Sequence, residues 1–485
     1  MRFISPGTYA RWLGLARAAE TLAEAPEAGR PEERLLQQVW LHQRLRRDAL
    51  RTTDGRSLTV LHPGFWNREA GPDFRDAVLK FGDEPPVTGD VEIDLLPRGW
   101  TGHQHRANPA YCDVRLHVVW EATGPDVTGL PTLELVHFLD APLTELRAVL
   151  GGLDPLSLPA AWRGACAEPL RWLAPADWAE LLQQAAQVRL AQKAAAIRAR
   201  ALQCGWSLAL WEEVLAGLGY KHNAWPMRRM AGWLPRLTEA EPGVTLTVLH
   251  VQARLLGAAG LLPAEIHRLR PPARSYVQQL WEHWWCDRGS LGDCQLPPGL
   301  WRFHGVRPAN HPARRLALTA HWLVRPDWER RIVDWMREDI RAGRLPDTLR
   351  ALLQVEADPF WSRHLTVTAR RSPAPVELLG EARVTDLAMN ALLPWAWGQA
   401  EQAGATALRM HIEARYHAWP ARQENAVVRL ARRRWFASAP LPRPRKAADQ
   451  QGVLQVVRDF CARSNALCVG CPFPRLVSEA RDGTG

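Results

Sequence analysis

Gly71-Pro72-Asp73-Phe74, Gly89-Asp90-Val91-Glu92-Ile93-Asp94, Trp100-Thr101-Gly102-His103-Gln104-His105 and Val114-Arg115-Leu116-His117-Val118-Val119 follow one another between residues 71 and 119. In each, polar side chains of metal-binding type stand at the ends of short apolar runs or alternate along them. Alternation with a period of two is the mark of a strand. Runs at 57–62, 74–81, 87–96 and 114–121 read as strands, with one more at 132–138. Pro63-Gly64 closes the first, and Gly82-Asp83-Glu84-Pro85-Pro86 turns the second into the third. A helix is expected over 31–48, with Pro31 in its first turn and Leu35, Val39 and Leu45 near one face. Residues 98–113 read as a loop and short helix. The order helix, three strands, helix, strand makes a small α/β unit of ordinary domain size.

A turn centred near Asp83–Glu84 places Asp73 opposite residue 94. It gives Glu92 and Asp94 one face of their strand and Val91, Ile93 and Leu95 the other. Asp73, Glu92 and Asp94 then converge. Three carboxylates this close repel one another unless a cation lies between them, and hard oxygen donors suit Mg²⁺ or Mn²⁺. Such an ion activates water and neutralises charge on a phosphate. His103 and His105, two apart beside Gly102, are a ligand-like pair. His117 is read either as a site residue or as a hydrogen-bonded core histidine. The His-x-His spacing also raises a cupin-like metal barrel, but no glutamate follows His105 within ten residues and the segment reads as helical.

With Pro72-Asp73 on the second strand and Glu92-Ile93-Asp94 on the third, residues 31–121 resemble the PD-(D/E)xK nuclease superfamily. The resemblance implies a restriction-endonuclease-like αβββαβ unit, hydrolysis of phosphodiesters in DNA or RNA, and a metal held by Asp73 and Glu92. Glu33 matches the helical glutamate that some members carry. Where the family has a lysine, this chain has Asp94. Lys80 lies seven residues from Asp73, about 23 Å along an extended strand, too far to substitute. An ionised aspartate cannot donate a proton. The donor role therefore falls to His103, His105 or His117, or the unit binds nucleic acid without cutting it. More broadly, the chain is similar to an uncharacterised bacterial family labelled as a domain of unknown function. The matching stretches are Gly71-Pro-Asp-Phe74, Val91-Glu-Ile93, His103-x-His105, Leu116-His-Val-Val119, Gly219-Tyr-Lys221 and Arg307-Pro-Ala-Asn310. That resemblance implies a fold and no particular activity.

From about 160 to 435 the periodicity becomes helical. Asn223-Ala-Trp-Pro226-Met-Arg228-Arg229 resembles Asn310-His-Pro312-Ala-Arg314-Arg315, and Asn390 with Pro394 is a looser third copy. Asn and Pro in this order suit helix entries, or stacked helical hairpins. The paired arginines read as a solvated basic face. Residues 437–447 form a basic, proline-rich linker, 449–463 a last helix, and the tail after Val477 a disordered end. The chain is thus α+β: an N-terminal segment (1–30), a nuclease-like α/β domain (31–150), a large all-α region (151–436) and a Cys-containing C-terminal segment (437–485). Cys461-x6-Cys468-x2-Cys471 resembles the first three ligands of the iron–sulfur loop in certain DNA glycosylases. The position of their fourth cysteine is Val477. Zn²⁺ or an iron–sulfur cluster would suit these thiols, with Cys166, Cys286 or Cys294 as the remaining ligand. Plain cytosolic thiols are the alternative.

The 485 residues carry a formal charge of +10, and only four of the 61 basic residues are lysines. The basic balance favours nucleic acid as a partner, while the Arg:Lys ratio reads as GC-rich coding. The 24 tryptophans are expected mainly in the core. No apolar run reaches the ~18 residues of a membrane span, and Met1–Glu20 has no signal-peptide core, so a cytoplasmic protein without a membrane partner is expected. Three readings stand: a Mg²⁺- or Mn²⁺-dependent nuclease, a non-catalytic nucleic-acid binder on the same fold, and a helical protein-interaction scaffold.

Overall fold

The computed structural model describes residues 4–23, 31–67, 71–102, 109–123, 128–143, 146, 150, 164–240, 243, 245–297, 299–303, 306–355, 358–421, 423–436, 444–461, 468 and 471–482. It is a mixed α/β structure with an N-terminal curled sheet and a large helical region. Helices α1 (Thr8–Ala23) and α2 (Glu33–His42) precede strands β1 (Leu58–His62), β2 (Phe65–Trp66), β3 (Phe74–Phe81) and β4 (Val87–Asp94). Helix α3 (Arg98–Gly102), β5 (Val114–Val119) and β6 (Thr132–Glu134) follow. Then come α4 (Ala167–Arg171), α5 (Pro175–Cys204), α6 (Trp206–Leu237), α7 (Val248–Ala258), α8 (Pro271–Leu291), α9 (Pro312–Leu323), α10 (Trp328–Arg337), α11 (Leu345–Leu353), α12 (Glu381–Leu387) and α13 (Leu393–Gln402). The chain ends with α14 (Thr406–Ala418), α15 (Ala426–Phe436), α16 (Ala447–Val456) and α17 (Phe473–Asp482). Among the described residues no helix is long and apolar enough to cross a membrane.

The sheet runs β1-β3-β4-β5-β6, with β2 on β3. β3 and β4 are an antiparallel hairpin, whereas β4, β5 and β6 are parallel. The register departs from expectation. Leu79 faces Val87 as a turn centred on Asp83 requires, but Phe74 faces Val91, because a bulge intervenes between Phe74 and Ala77. Asp76 takes a left-handed backbone there (φ 55°), and its N–H bonds Asp90 Oδ1 at 3.1 Å. Continued from Leu79–Val87 the register would set Asp73 opposite Ile93, and the extra residue slides it to the level of Glu92, short of the expected residue 94. Nor does β4 have one polar, open face: Glu92 and Asp94 are buried along with Val91 and Ile93.

The helix expected over 31–48 stops at His42. Gln43 turns left-handed (φ 47°), and the N–H groups of Gln43 and Arg44 cap the carbonyls of Trp40 and Val39. Leu45 then bridges to Leu139. The last expected strand is shorter than 132–138, passing after Glu134 into a 3₁₀ turn.

By internal contacts the chain forms two units: residues 1–59, 63–199 and 413–485, and residues 60–62 and 200–412. In the first unit, beside the sheet, α1, α4, α5, α15, α16 and α17 share a core containing Tyr9, Trp12, Trp178, Trp435, Phe460 and Phe473. In place of the disordered end expected after Val477, residues 478–482 are helical. Phe473, Leu476 and Val477 form a buried stripe at helical spacing, and α17 continues to Asp482.

In the second unit the Asn–Pro segments are not simple caps. Asn223 sits at a break inside α6, where its amide exchanges hydrogen bonds of 2.8 Å with the N–H and C=O of Arg302. The residue that caps α9 is His311, and Asn390 lies within a π-helical turn. Arg314 and Arg315 form no solvated face. Arg314 donates to the carbonyls of Trp361, His364, Val376 and Glu377, and Arg315 to Leu378 O and Asn310 Oδ1. Both guanidiniums are buried; Arg314 is met by four carbonyl oxygens, while Arg315 Nε has no hydrogen-bond partner among the described residues.

Candidate functional site

Glu92 and Asp94 lie two apart on β4 and so share a face. The parallel register sets His117 of β5 beside Glu92, on that same face. The β3 bulge delivers Asp73 to the same place. Asp73 N–H donates to Glu92 Oε2 at 3.0 Å, and Ile93 N–H donates to Asp73 Oδ2 at 3.1 Å. From α2, Gln37 Nε2 donates to Asp73 Oδ1 at 2.9 Å and reaches Glu33 Oε1 at 3.5 Å.

The electrostatics of this cluster are those of acids gathered out of water. Burial, then the neighbouring Glu33, pushes the Asp73 carboxyl up to about 7, against hydrogen bonds from Ile93 and Gln37 that pull it down. Burial, then Asp73, pushes Glu92 up to about 9. In the absence of a cation the pair retains a proton at neutral pH. Tyr111 belongs to the same field: burial, then Glu92, Asp73 and Asp94, raises its phenol to about 12.

Asp94 and His117 form a second layer. His117 Nε2 lies 2.9 Å from Asp94 Oδ2, with both side chains buried. The start of α3 presses on this pair. A Cβ at Gly99 would fall 2.2 Å from Asp94 Oδ1, so only glycine permits the approach. The Trp100 ring is tilted over His117 with centroids 5.6 Å apart. His117 Nδ1 is buried without a hydrogen-bond partner among the described residues.

The family described as "Protein of unknown function (DUF2851)" matches residues 33–424. The chain belongs to that family. No curated protein and no solved structure matches it. The DUF2851 match takes in Glu33, Gln37, Asp73, Glu92, Asp94, Tyr111 and His117, and ends before the three C-terminal cysteines.

Of the residues singled out from sequence, the DUF2851 fold brings together Glu33, Asp73, Glu92, Asp94 and His117. His103 and His105 lie outside the described residues. Cys461, Cys468 and Cys471 gather elsewhere in the same unit, around Cys166, while Cys286 and Cys294 belong to the other unit. Two members of the carboxylate site were missed. Gln37 follows Glu33 by four residues and so shares its helix face, a signal present in the sequence. Tyr111 lies in a 3₁₀ turn with no periodic pattern to announce it.

Proposed function

We propose that the DUF2851 chain is a metal-dependent phosphodiesterase acting on nucleic acid, with its site on Asp73 and Glu92. The observation that carries this reading is the pair itself: half-buried Asp73 at the entry to β3 and buried Glu92 on β4, tied by a backbone hydrogen bond and each made a weaker acid by burial and by another acid. Oxygen-only donors at such a spot suit Mg²⁺ or Mn²⁺. Among the described residues no group of three or more His, Cys, Asp or Glu could hold a metal ion by itself. The ion would therefore rest on two carboxylates and complete its shell with water and substrate phosphate, as Mg²⁺ commonly does. When bound, it would supply charge neutralisation at a scissile phosphate and activation of water.

The chain's own groups divide the remaining work. Gln37 and the Ile93 N–H orient Asp73, while the Asp73 N–H orients Glu92. Asp94 fixes the ring of His117 behind them. In this reading Tyr111, whose phenol lies in the field of the acids and stays protonated, supplies a hydroxyl donor toward the substrate. The basic excess of the chain supports a polyanionic substrate.

The test is Mn²⁺- or Mg²⁺-dependent cleavage of single- and double-stranded DNA and of RNA, with Glu92→Gln as control. Cleavage by the wild type that Glu92→Gln abolishes supports the reading. Absence of cleavage with either ion on all three substrates overturns it. One observation favours a second reading. The position held by lysine in nucleases of the resembling type is Asp94, which is buried and bonded to His117. A protein that binds nucleic acid without cutting would show salt-sensitive binding unchanged by Glu92→Gln.

A further inference from the structure

The second gathering of ligand-type side chains lies away from the sheet. Gly164 N–H donates to Arg434 O at 3.0 Å, tying the loop before α4 to the end of α15, and Ala167 N–H returns to Gly164 O at 3.0 Å. This holds Cys166 in the core, 4% exposed. A Cβ added at Gly164 would stand 3.2 Å from Cys166 Sγ and 3.8 Å from Cys468 Sγ. The two sulfurs, 302 residues apart in sequence, thus open on one small space that the glycine leaves clear. Cys468 adopts a left-handed backbone (φ 60°), and Cys471 N–H donates to Cys468 O at 3.2 Å. Cys461 ends the π turn after α16.

Cys461, Cys468 and Cys471 all lie within electrostatic reach of Cys166. Trp435 hydrogen-bonds Cys461, and the Arg434 guanidinium stands close to it. The Arg434 guanidinium, buried in the core, donates from Nη2 to Cys468 Sγ at 3.5 Å. Phe460 and Phe473 close the surroundings, their ring centroids 4.9 Å apart. Four sulfurs, Cys166 buried and the others half-buried, with a cation and an indole N–H directed at them, are arranged for thiolates whose negative charge is shared with a metal centre.

We propose that Cys166, Cys461, Cys468 and Cys471 together ligate a [4Fe–4S] cluster. An all-sulfur donor set selects zinc, Cu(I) or iron–sulfur centres over harder ions. A single tetrahedral zinc with bonds of about 2.3 Å draws its sulfurs to roughly 3.8 Å of one another. No group of three or more such ligands among the described residues is gathered to hold one ion, whereas a four-iron cluster spans a wider set of thiolates. On binding, each thiol releases its proton to solvent as its sulfur bonds iron. The centre fastens α4, α15, α16 and α17 and touches none of the sheet carboxylates, so it goes beyond the phosphodiesterase reading.

The full-length chain, purified and reconstituted without oxygen, is expected to hold about four iron and four labile sulfide per chain, with the broad visible absorption of such a cluster. Cys166→Ser and Cys468→Ser should each lose most of the iron, while Cys112→Ser, at an exposed cysteine, retains it. Because a core cysteine variant can fail to fold, wild-type protein is also alkylated before and after iron chelation. Reactivity that rises on chelation at the four cysteines alone supports the cluster. Zinc without iron, or reactivity indifferent to the chelator together with no bound metal, overturns it. Glu92→Gln should keep its iron whatever becomes of cleavage, which separates failure here from failure of the carboxylate site.

Discussion

Two aspartates drawn out of water, half-buried Asp73 in the sheet unit and buried Asp358 in the helical unit, meet opposite fates. Asp358 Oδ1 accepts the N–H groups of Phe360 (2.9 Å) and Trp361 (2.7 Å), and Oδ2 accepts from Gln252 (2.8 Å) and lies 2.9 Å from His321 Nε2. The donors are themselves held: Tyr276 OH donates to Gln252 Oε1 and accepts from Trp361 Nε1. Burial alone would raise Asp358, but these hydrogen bonds outweigh it and keep the carboxyl below its ordinary value. Asp73 has donors too, yet it faces Glu33 and Glu92, and its acidity moves the other way. A buried carboxylate ringed by donors is framework. A buried carboxylate facing other carboxylates holds a proton, or a cation in its place.

Removing Asp358 should cost the most. Asp358→Ala leaves Gln252, His321 and two backbone N–H groups without their acceptor, an expected loss of about 3–5 kcal/mol, read by urea denaturation. The two sites also differ in the sign of their pH dependence. The depressed carboxyl of Asp358 contributes stability fully present above the ordinary aspartate value of about 4, lost as pH falls through its lower folded value. Glu92, raised to about 9, binds its proton more tightly in the folded state. Its charge therefore opposes folding increasingly as pH rises from its unfolded value toward 9, and Asp73 acts likewise toward 7. Denaturation across pH should show an acid limb that Asp358→Asn shifts and an alkaline limb that Glu92→Gln shifts. A single limb moved by both would break the distinction.

Arg314→Lys comes next. Four carbonyls receive the Arg314 guanidinium, and an ammonium lacks the planar fork needed to span them. Hydrogen bonds to a charged group contribute about 1.5–3 kcal/mol, so a loss of about 2 kcal/mol is expected, with nucleic-acid affinity unchanged. Weaker binding at full stability would return Arg314 to the surface role read from its sequence.

These arginines mark where the sequence stops being legible. The β3–β4 hairpin could be read because its signals are local: a turn, two alternating runs, and acids at strand ends. The bulge at Asp76 could not, since nothing in Phe74-Arg75-Asp76-Ala77 demands a left-handed aspartate before its N–H meets Asp90. Arg314-Arg315 looks like any exposed basic pair, because all but one of its acceptors come from residues 361–378, far along the chain. The same holds for Cys166, which only tertiary packing sets beside Cys468. The helix ending at Asp482 is illegible for a different reason: its buried stripe, Phe473, Leu476 and Val477, is only three residues, too short to weigh against a polar composition.

Gly99→Ala tests the layer between the two kinds of site. The new methyl would press on Asp94 and part it from His117. Overpacking of this kind costs about 1–3 kcal/mol, and the low end is expected because α3 is short. In the phosphodiesterase reading, cleavage should fall more than stability does, since Asp94 positions His117. Equal falls in both would make the pair framework, like Asp358.

Glu92→Gln should change stability least, and that is what gives it force. An amide matches the shape of the protonated acid, keeps an oxygen for the Asp73 N–H and removes a charge that burial and Asp73 disfavour. Stability is therefore expected to stay level or rise, by about 1 kcal/mol at most on the scale of one hydrogen bond, and to become less dependent on pH above neutrality. Cation binding should vanish at the same time, measured by Mn²⁺ titration calorimetry on protein whose iron content is unchanged. A structural acid cannot give that pair of results. If Glu92→Gln instead unfolds the sheet unit as Asp358→Ala unfolds the helical one, then Glu92 is framework as well, and the site on β3 and β4 has no place for a metal.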